Sequence, residues 1–227
     1  MGIITSANIL LQASYALNDQ PHQHWPREEL LLYLEDGQRA AVLLRPEVNP
    51  VTIEHPMVAG SKQMLPDDGY VLLDVVRNVD GDSVSPTSRK DLDQVARGWH
   101  QDDPGPTVNF LYDVRNRKTF YVSPPHPGPP GEVELIYAQI PPAFARESDG
   151  SIGASTYADT LKIDDIYAPA LIAYVLHRAY IKDTAAQGAS VQKSQQYAQY
   201  FAAMITGNAE QKDNDIVIRH EVGEGAR

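Results

Sequence analysis

Residues 121–137 read YVSPPHPGPPGEVELIY, five prolines and two glycines set between two runs rich in strand-forming side chains. The segment is a linker between domains, a ligand for a proline-binding partner, or a long turn, and each reading organises the chain differently. Proline brings no N–H to a sheet ladder, so the flanking strands are expected to stop at about Val122 and resume at about Glu132. Strand signals on both sides argue against a linker. A proline ligand works best in a mobile tail, and here both ends are pinned. The expectation is a stiff loop over residues 123–131, carrying Pro124, Pro125, Pro127, Pro129 and Pro130, at the tip of a hairpin-like pair.

Working outward, VNFLYDV, KTFYVS and EVELIYAQI are strand candidates rich in Val, Phe, Tyr and Ile, the first two joined by the polar turn DVRNRK. RKDLDQVARGWH reads as a short helix ended by Gly98, and VTIEHPMV as a short strand. GSKQMLPDDG reads as a polar loop closed by a Pro-Asp-Asp-Gly turn. YVLLDVVRNV, residues 70–79, stays open. Its β-branched Val71, Val75, Val76 and Val79 favour a strand, while Leu72, Leu73, Val75 and Val76 also fit one side of a helix.

Both outer thirds carry helical periodicity. SANILLQASYALND places Ile9, Leu10, Ala13 and Leu17 on one side, with Thr5 or Ser6 as N-cap. In WPREELLLYLEDGQRAAVLLRP, Pro26 suits the first helical turn, Glu28 and Glu29 suit its positive end, and Pro46 marks the stop. Leu30, Leu31, Leu34, Ala41 and Leu44 are expected to face inward, and Gly37 to weaken the helix by ~1 kcal/mol relative to Ala. LKIDDIYAPALIAYVLHRAYIKD reads as a helix buried on more than one side, with Pro169 early in it. ASVQKSQQYAQYFAAMITG reads as a last helix ending at Gly207. Tyr157, Tyr167, Tyr174, Tyr180, Tyr197, Tyr200 and Phe201 are expected to fill a helix–helix or subunit seam. The expected class is α+β: a helical bundle from residues 1–50 and 155–206, a small antiparallel β module inserted at 51–154, and an extended C-terminal arm at 207–227.

Composition narrows the chemistry. The 227 residues contain no cysteine, which excludes disulfides, thiolate metal sites and a cysteine nucleophile. A formal charge of -11 argues against general adhesion to nucleic acid. No apolar run is long enough to cross a bilayer, and the beginning of the chain lacks the basic and apolar regions of a signal peptide, so synthesis in a cytosol is expected. MGIITS fits the myristoylation pattern, but helix capping explains its serine equally well. His22 and His24 near Asp19 form the one metal-like cluster, read as solvated loop residues, and His177 is read as a satisfied helix histidine. Asp67 with Asp68, Asp102 with Asp103, and Asp164 with Asp165 read as turn and cap residues, not as carboxylates facing across a substrate. GSIGAS reads as a loop. No nucleotide-binding, nucleophile-elbow or HExxH motif is present. No enzyme activity, metal or cofactor is expected.

Several segments in order then carry a resemblance: LNDQ with HWPREELLLYL, Arg45-Pro46, GSKQMLPDDGYVLLDVVRN, Leu92 and Asp93 with Trp99, FYVSPP, ELIYAQIPP, and YAPALIAYVLHRAYIKDT. Together, over roughly residues 6–205, they resemble the head-to-tail adaptor, or head-completion, proteins of tailed bacteriophages, in the version with a β insertion. The resemblance implies a structural virion protein of the neck, made in the host cytoplasm. It would form a homo-oligomeric ring, a dodecamer, docked beneath the portal protein. The ring would extend the DNA channel, through which DNA passes without specific binding, and offer a platform to tail or nozzle proteins, with no membrane contact. It also implies a C-terminal arm reaching the portal or a neighbour, with Ile216, Val217, Ile218 and Arg219 as its adhesive patch. The alternative is a non-ring tail component that binds carbohydrate or another virion protein through Phe110, Tyr112, Phe120 and Tyr121 of the β module.

Overall fold

The computed structural model describes residues 2–182 and 188–207. Ile216, Val217, Ile218 and Arg219 lie outside the described residues, as does the expected arm beyond Gly207. In chain order the elements are α1 (Ser6–Leu17), α2 (Arg27–Leu44), β1 (Pro50–Pro56), β2 (Gly60–Met64), β3 (Gly69–Asn78), β4 (Ser85–Pro86), α3 (Arg89–Val95), β5 (Asn109–Tyr112), β6 (Thr119–His126), β7 (Glu132–Gln139), α4 (Ala154–Ala158), α5 (Ala168–Lys182) and α6 (Gly188–Thr206). They divide into two compact units: the chain up to Val48 with the chain from Pro141 onward, and residues 49–140.

In the first unit, Thr5 opens α1 through a capping box with Asn8, which exchanges side chain-to-backbone hydrogen bonds at 3.3 and 3.0 Å. Asn18, in the left-handed region at φ 56°, closes it. The following loop is drawn around Asp19, whose carboxylate accepts the N–H groups of Gln23, His24 and Trp25 at 2.9–3.0 Å. The Trp25 N–H foremost among these holds the Asp19 carboxyl below its ordinary pKa. The turn buries Trp25, whose Nε1–H donates to the Ala179 carbonyl at 3.2 Å. Pro26 stands at the N-cap of α2, one position ahead of the expected first turn.

Leu30, Leu31 and Leu34 of α2 are fully buried, each contributing ~2 kcal/mol. Leu44 is half-exposed, and Val42 takes the inward place expected of it. Central to this unit is α5, which packs against α1, α2 and α6 and buries Leu171, Val175, Leu176 and four alanines on several sides. The small residues let neighbouring helices approach closely, and Gly37 of α2 does the same from the other side. A Cβ there would sit 2.9 Å from Cδ1 of Tyr174. Four of the expected aromatics form a seam between α5 and α6, where Tyr174 meets Phe201 edge-on at 5.0 Å and Tyr180 stacks on Tyr197 at 5.8 Å. Tyr200 is exposed, and Tyr157 and Tyr167 lie outside these two helices. His177 is satisfied in the seam by Ser194, whose hydroxyl lies 2.9 Å from Nδ1. Glu35, buried in α2, accepts the Phe144 N–H at 3.0 Å and pairs with Arg146 at 2.7 Å, tying residues 144–146 into this unit.

The second unit faces two sheets against each other, in strand orders β1-β7-β3 and β2-β6-β5-β4. All pairs are antiparallel except the short β4–β5 contact. Leu72 and Val75 of β3, Val133, Leu135 and Tyr137 of β7, Phe110 of β5, and Phe120 and Val122 of β6 form the shared core. Residues 70–78 thus belong to a strand, with Val79 in the turn that follows, and the register explains the ambiguity. Against β7, β3 shifts register between Gly69 and Val71, Leu72 and Asp74, and Val75 and Arg77. Each bulge inserts a residue, so buried positions recur at 69, 72, 75 and 78, close to a helical period.

Two expectations are corrected. GSKQM is strand β2, not loop; its one inward side chain is Gln63, whose amide bonds Val58 and Gly60 backbone groups at 2.8–2.9 Å, so no apolar alternation marks it. The proline stretch is not a hairpin tip. β6 continues through Pro124 and Pro125 to His126, and β6 and β7 belong to different sheets. The prolines are tolerated because they lie beyond the last β5 pair, at Ser123, and within the register shift opposite β2, where no ladder N–H is required. The loop proper is residues 127–131, and it carries the chain from one sheet to the other.

Candidate functional site

The sheet-to-sheet turn is organised by a residue that the sequence reading passed over. His126 is 4 % exposed, and its Nδ1 accepts the Gly128 N–H at 3.0 Å. Burial holds its pKa below the ordinary histidine value, so the ring is neutral with Nδ1 free to accept. Its other edge lies against Gly131, where an added Cβ would collide with Cε1 and Nε2 of the ring. Gly131 donates to Gly128 at 3.2 Å and accepts from Met57 at 3.0 Å. Gly128, at φ +95°, also abuts Ala59, with a hypothetical Cβ 3.2 Å from the Ala59 nitrogen. The only cue in sequence was a histidine standing among five prolines.

Around this anchor the expected partner-binding prolines part company. Pro125 is buried, its carbonyl accepting from Gly105 at 3.0 Å, and Pro124 is half-buried. Pro127, Pro129 and Pro130 are exposed, forming an apolar knuckle around Gly128, which abuts Ala59. Acidic side chains flank it: Glu132 follows directly, and the turn holding exposed Asp80 and Asp82 is joined to Glu132 through the Val79 N–H at 3.0 Å.

At the other end of β6 lies a groove of about 610 Å³. Its walls include exposed His100 and Val114 and half-buried Tyr112 and Tyr121. His100 is held by a stack on buried Trp99 at 3.6 Å and by Ser61 Oγ at 2.8 Å, and Trp99 Nε1–H donates to Asp93 at 3.0 Å. Arg89 and Arg115 stand at the rim. The Arg115 side chain, hydrogen-bonded to Asp113 at 2.7 Å, drops the Asp113 pKa to about 2. Phe110 and Phe120, the other aromatics expected of a carbohydrate surface, are buried between the sheets.

Asp19, His22 and His24 do not form a metal centre, since the Asp19 carboxylate is taken by three backbone N–H groups. Among the described residues no group of three or more His, Asp or Glu is placed to hold a metal ion. Asp164 caps a short 3-10 turn through the Ile166 N–H at 2.9 Å, and Asp68 accepts from Tyr137 and Gln139.

A protein-family model described as SU10 adaptor protein matches residues 3–219, spanning both units. The chain belongs to this family. The resemblance to phage head-to-tail adaptors carried by the ordered motifs is borne out, and the α+β adaptor is a phage structural protein by family. A comparison with curated proteins gives no match. No described helix is long and apolar enough to cross a membrane.

Proposed function

We propose that the adaptor forms a homo-oligomeric ring, a dodecamer, in the virion neck. The ring docks beneath the portal protein, extends the DNA channel and presents a platform to tail or nozzle proteins. The family match across both units carries this reading. The fixed proline knuckle supports it, because a preorganised apolar surface loses little conformational freedom on docking. The charge of -11 supports passage of DNA without specific binding, since few cations are available to neutralise phosphates. Burial of Phe110 and Phe120 speaks against a carbohydrate platform, and the groove holds one carboxylate, Asp113, already engaged by Arg115. Electron microscopy of the purified full chain and of particle necks tests the proposal. A ring with a central hole is expected; a chain that stays monomeric and is missing from the neck refutes it.

A further inference from the structure

We infer that the proline knuckle of one copy docks in the aromatic groove of the next, making a head-to-tail contact between the β-containing units of neighbouring copies. The inference rests on the ring reading and specifies a contact within it.

Three observations carry it. First, the chemistries match. Proline-rich segments dock in aromatic-lined grooves, where flat apolar rings meet and little freedom is lost. The knuckle offers exposed Pro127, Pro129 and Pro130, and the groove offers His100, Tyr112 and Tyr121. Both sides are preorganised, the knuckle by the His126–Gly128 bond and the platform by the Trp99 stack. A volume of about 610 Å³ lies within the ~300–1,000 Å³ of pockets that enclose drug-sized ligands, comparable to a few residues.

Second, the charges are complementary. Glu132, Asp80 and Asp82 flank the knuckle, whereas Lys90 and Arg97 lie on the surface adjoining the groove, beside the rim pairs Arg89–Asp93 at 3.4 Å and Arg115–Asp113 at 2.7 Å. Opposed charges of this kind steer encounter and disfavour knuckle-to-knuckle pairing.

Third, placement excludes self-docking and suits propagation. Knuckle and groove sit at opposite ends of β6, whose eight residues span about 25 Å at ~3.3 Å each. Val114 lies in the turn that precedes β6, and Pro127 follows its last residue. A patch that meets a different patch on the next copy is a heterologous contact, the kind that closes into rings when the rotation permits.

The absence of cysteine makes the test direct. The full-length double variant Pro129→Cys/Val114→Cys is oxidised mildly, both purified and in particles complemented with it. A reductant-sensitive ladder of oligomers is expected on a denaturing gel, while either single variant stops at a dimer. The control Pro129→Cys/Ile3→Cys, with Ile3 at 86 % exposure in the other unit, should give no ladder. In parallel, Pro127→Ser/Pro129→Ser/Pro130→Ser and Val114→Arg are each expected to raise the half-assembly concentration at least tenfold. Their equimolar mixture should form heterodimers, since one intact knuckle and one intact groove remain. Rings without a ladder above the control, or with both surface variants assembling normally, overturn this contact and leave the ring reading standing. Absence of rings and of neck incorporation removes the ring reading and this contact with it.

Discussion

Gly37→Ala separates two forces of opposite sign. In an isolated helix the replacement stabilises by ~1 kcal/mol, because glycine surrenders more backbone freedom than alanine. In this chain the new Cβ would lie 2.9 Å from Cδ1, 3.2 Å from Cγ and 3.4 Å from Cβ of Tyr174. Those are atoms at the base of a ring that also meets Phe201 at 5.0 Å and His177 at 6.0 Å, so the ring cannot swing aside cheaply. Forcing a methyl into such packing costs ~1–3 kcal/mol, with a further loss if α2 and α5 separate. The steric term offsets or exceeds the helix term, giving net destabilisation of up to ~2 kcal/mol. Urea unfolding followed by circular dichroism reads the change as a lower midpoint at constant slope. A double-mutant cycle with Tyr174→Ala isolates the contact: Gly37→Ala should become stabilising once the ring is gone, a sign reversal worth ~1–3 kcal/mol of coupling. A Gly37→Ala variant more stable than the parent, with Tyr174 intact, would refute the close-approach argument.

Other outcomes follow from the same contacts. Arg146→Met leaves the buried Glu35 carboxylate without its cation and should cost about 3 kcal/mol, read by calorimetry; a loss below about 1 kcal/mol would place that charge in water. His55 and His126 both have pKa values lowered by burial, so the unfolded chain takes up protons that the native one resists. Stability should therefore be complete above the unfolded value near 6.5 and fall as pH drops below it. A thermal midpoint at pH 5.5 equal to that at pH 7.5 contradicts this, and His126→Gln should flatten the profile. Deleting residues 208–227, the proposed arm, should leave the described fold intact and abolish portal docking in a binding assay; normal docking would dismiss the arm's role.

What was legible in the sequence followed the strength of local signals. Helices α1, α2, α5 and α6 declared themselves through apolar spacing and through Thr5, Pro46 and the glycine after α6. Strand β7 was equally plain, because EVELIYAQ is rich in strand-forming side chains and puts Val133, Leu135 and Tyr137 at alternate, inward positions. Periodicity failed where backbone irregularity or hydrogen bonding replaced it. The bulges of β3 gave a strand a near-helical spacing, and Gln63 gave β2 a polar inward face. The proline stretch shows in the sequence as an interruption between strands, but which sheet each flank joins is a long-range property. Val122 looked like a strand end only because the irregular pairing that accommodates Pro124 and Pro125 is set by Gly60 and Lys62, far back in the chain. The candidate site was legible in its exposed prolines and illegible in its anchor, since the role of His126 depends on Gly128 and Gly131 folding back over it.

The two tryptophans of the chain fall one to each compact unit, Trp25 beside α5 and Trp99 beneath His100, at 8 % and 1 % exposure. Each indole N–H has a fixed acceptor, the Ala179 carbonyl for one and the Asp93 carboxylate for the other. The adaptor therefore carries a built-in pair of optical probes. Trp25→Phe leaves an emission that reports on the β-containing unit and its groove, and Trp99→Phe leaves one that reports on the helical unit. Fluorescence from the two variants, followed during unfolding or on mixing with a partner, distinguishes which unit yields first and which one is touched.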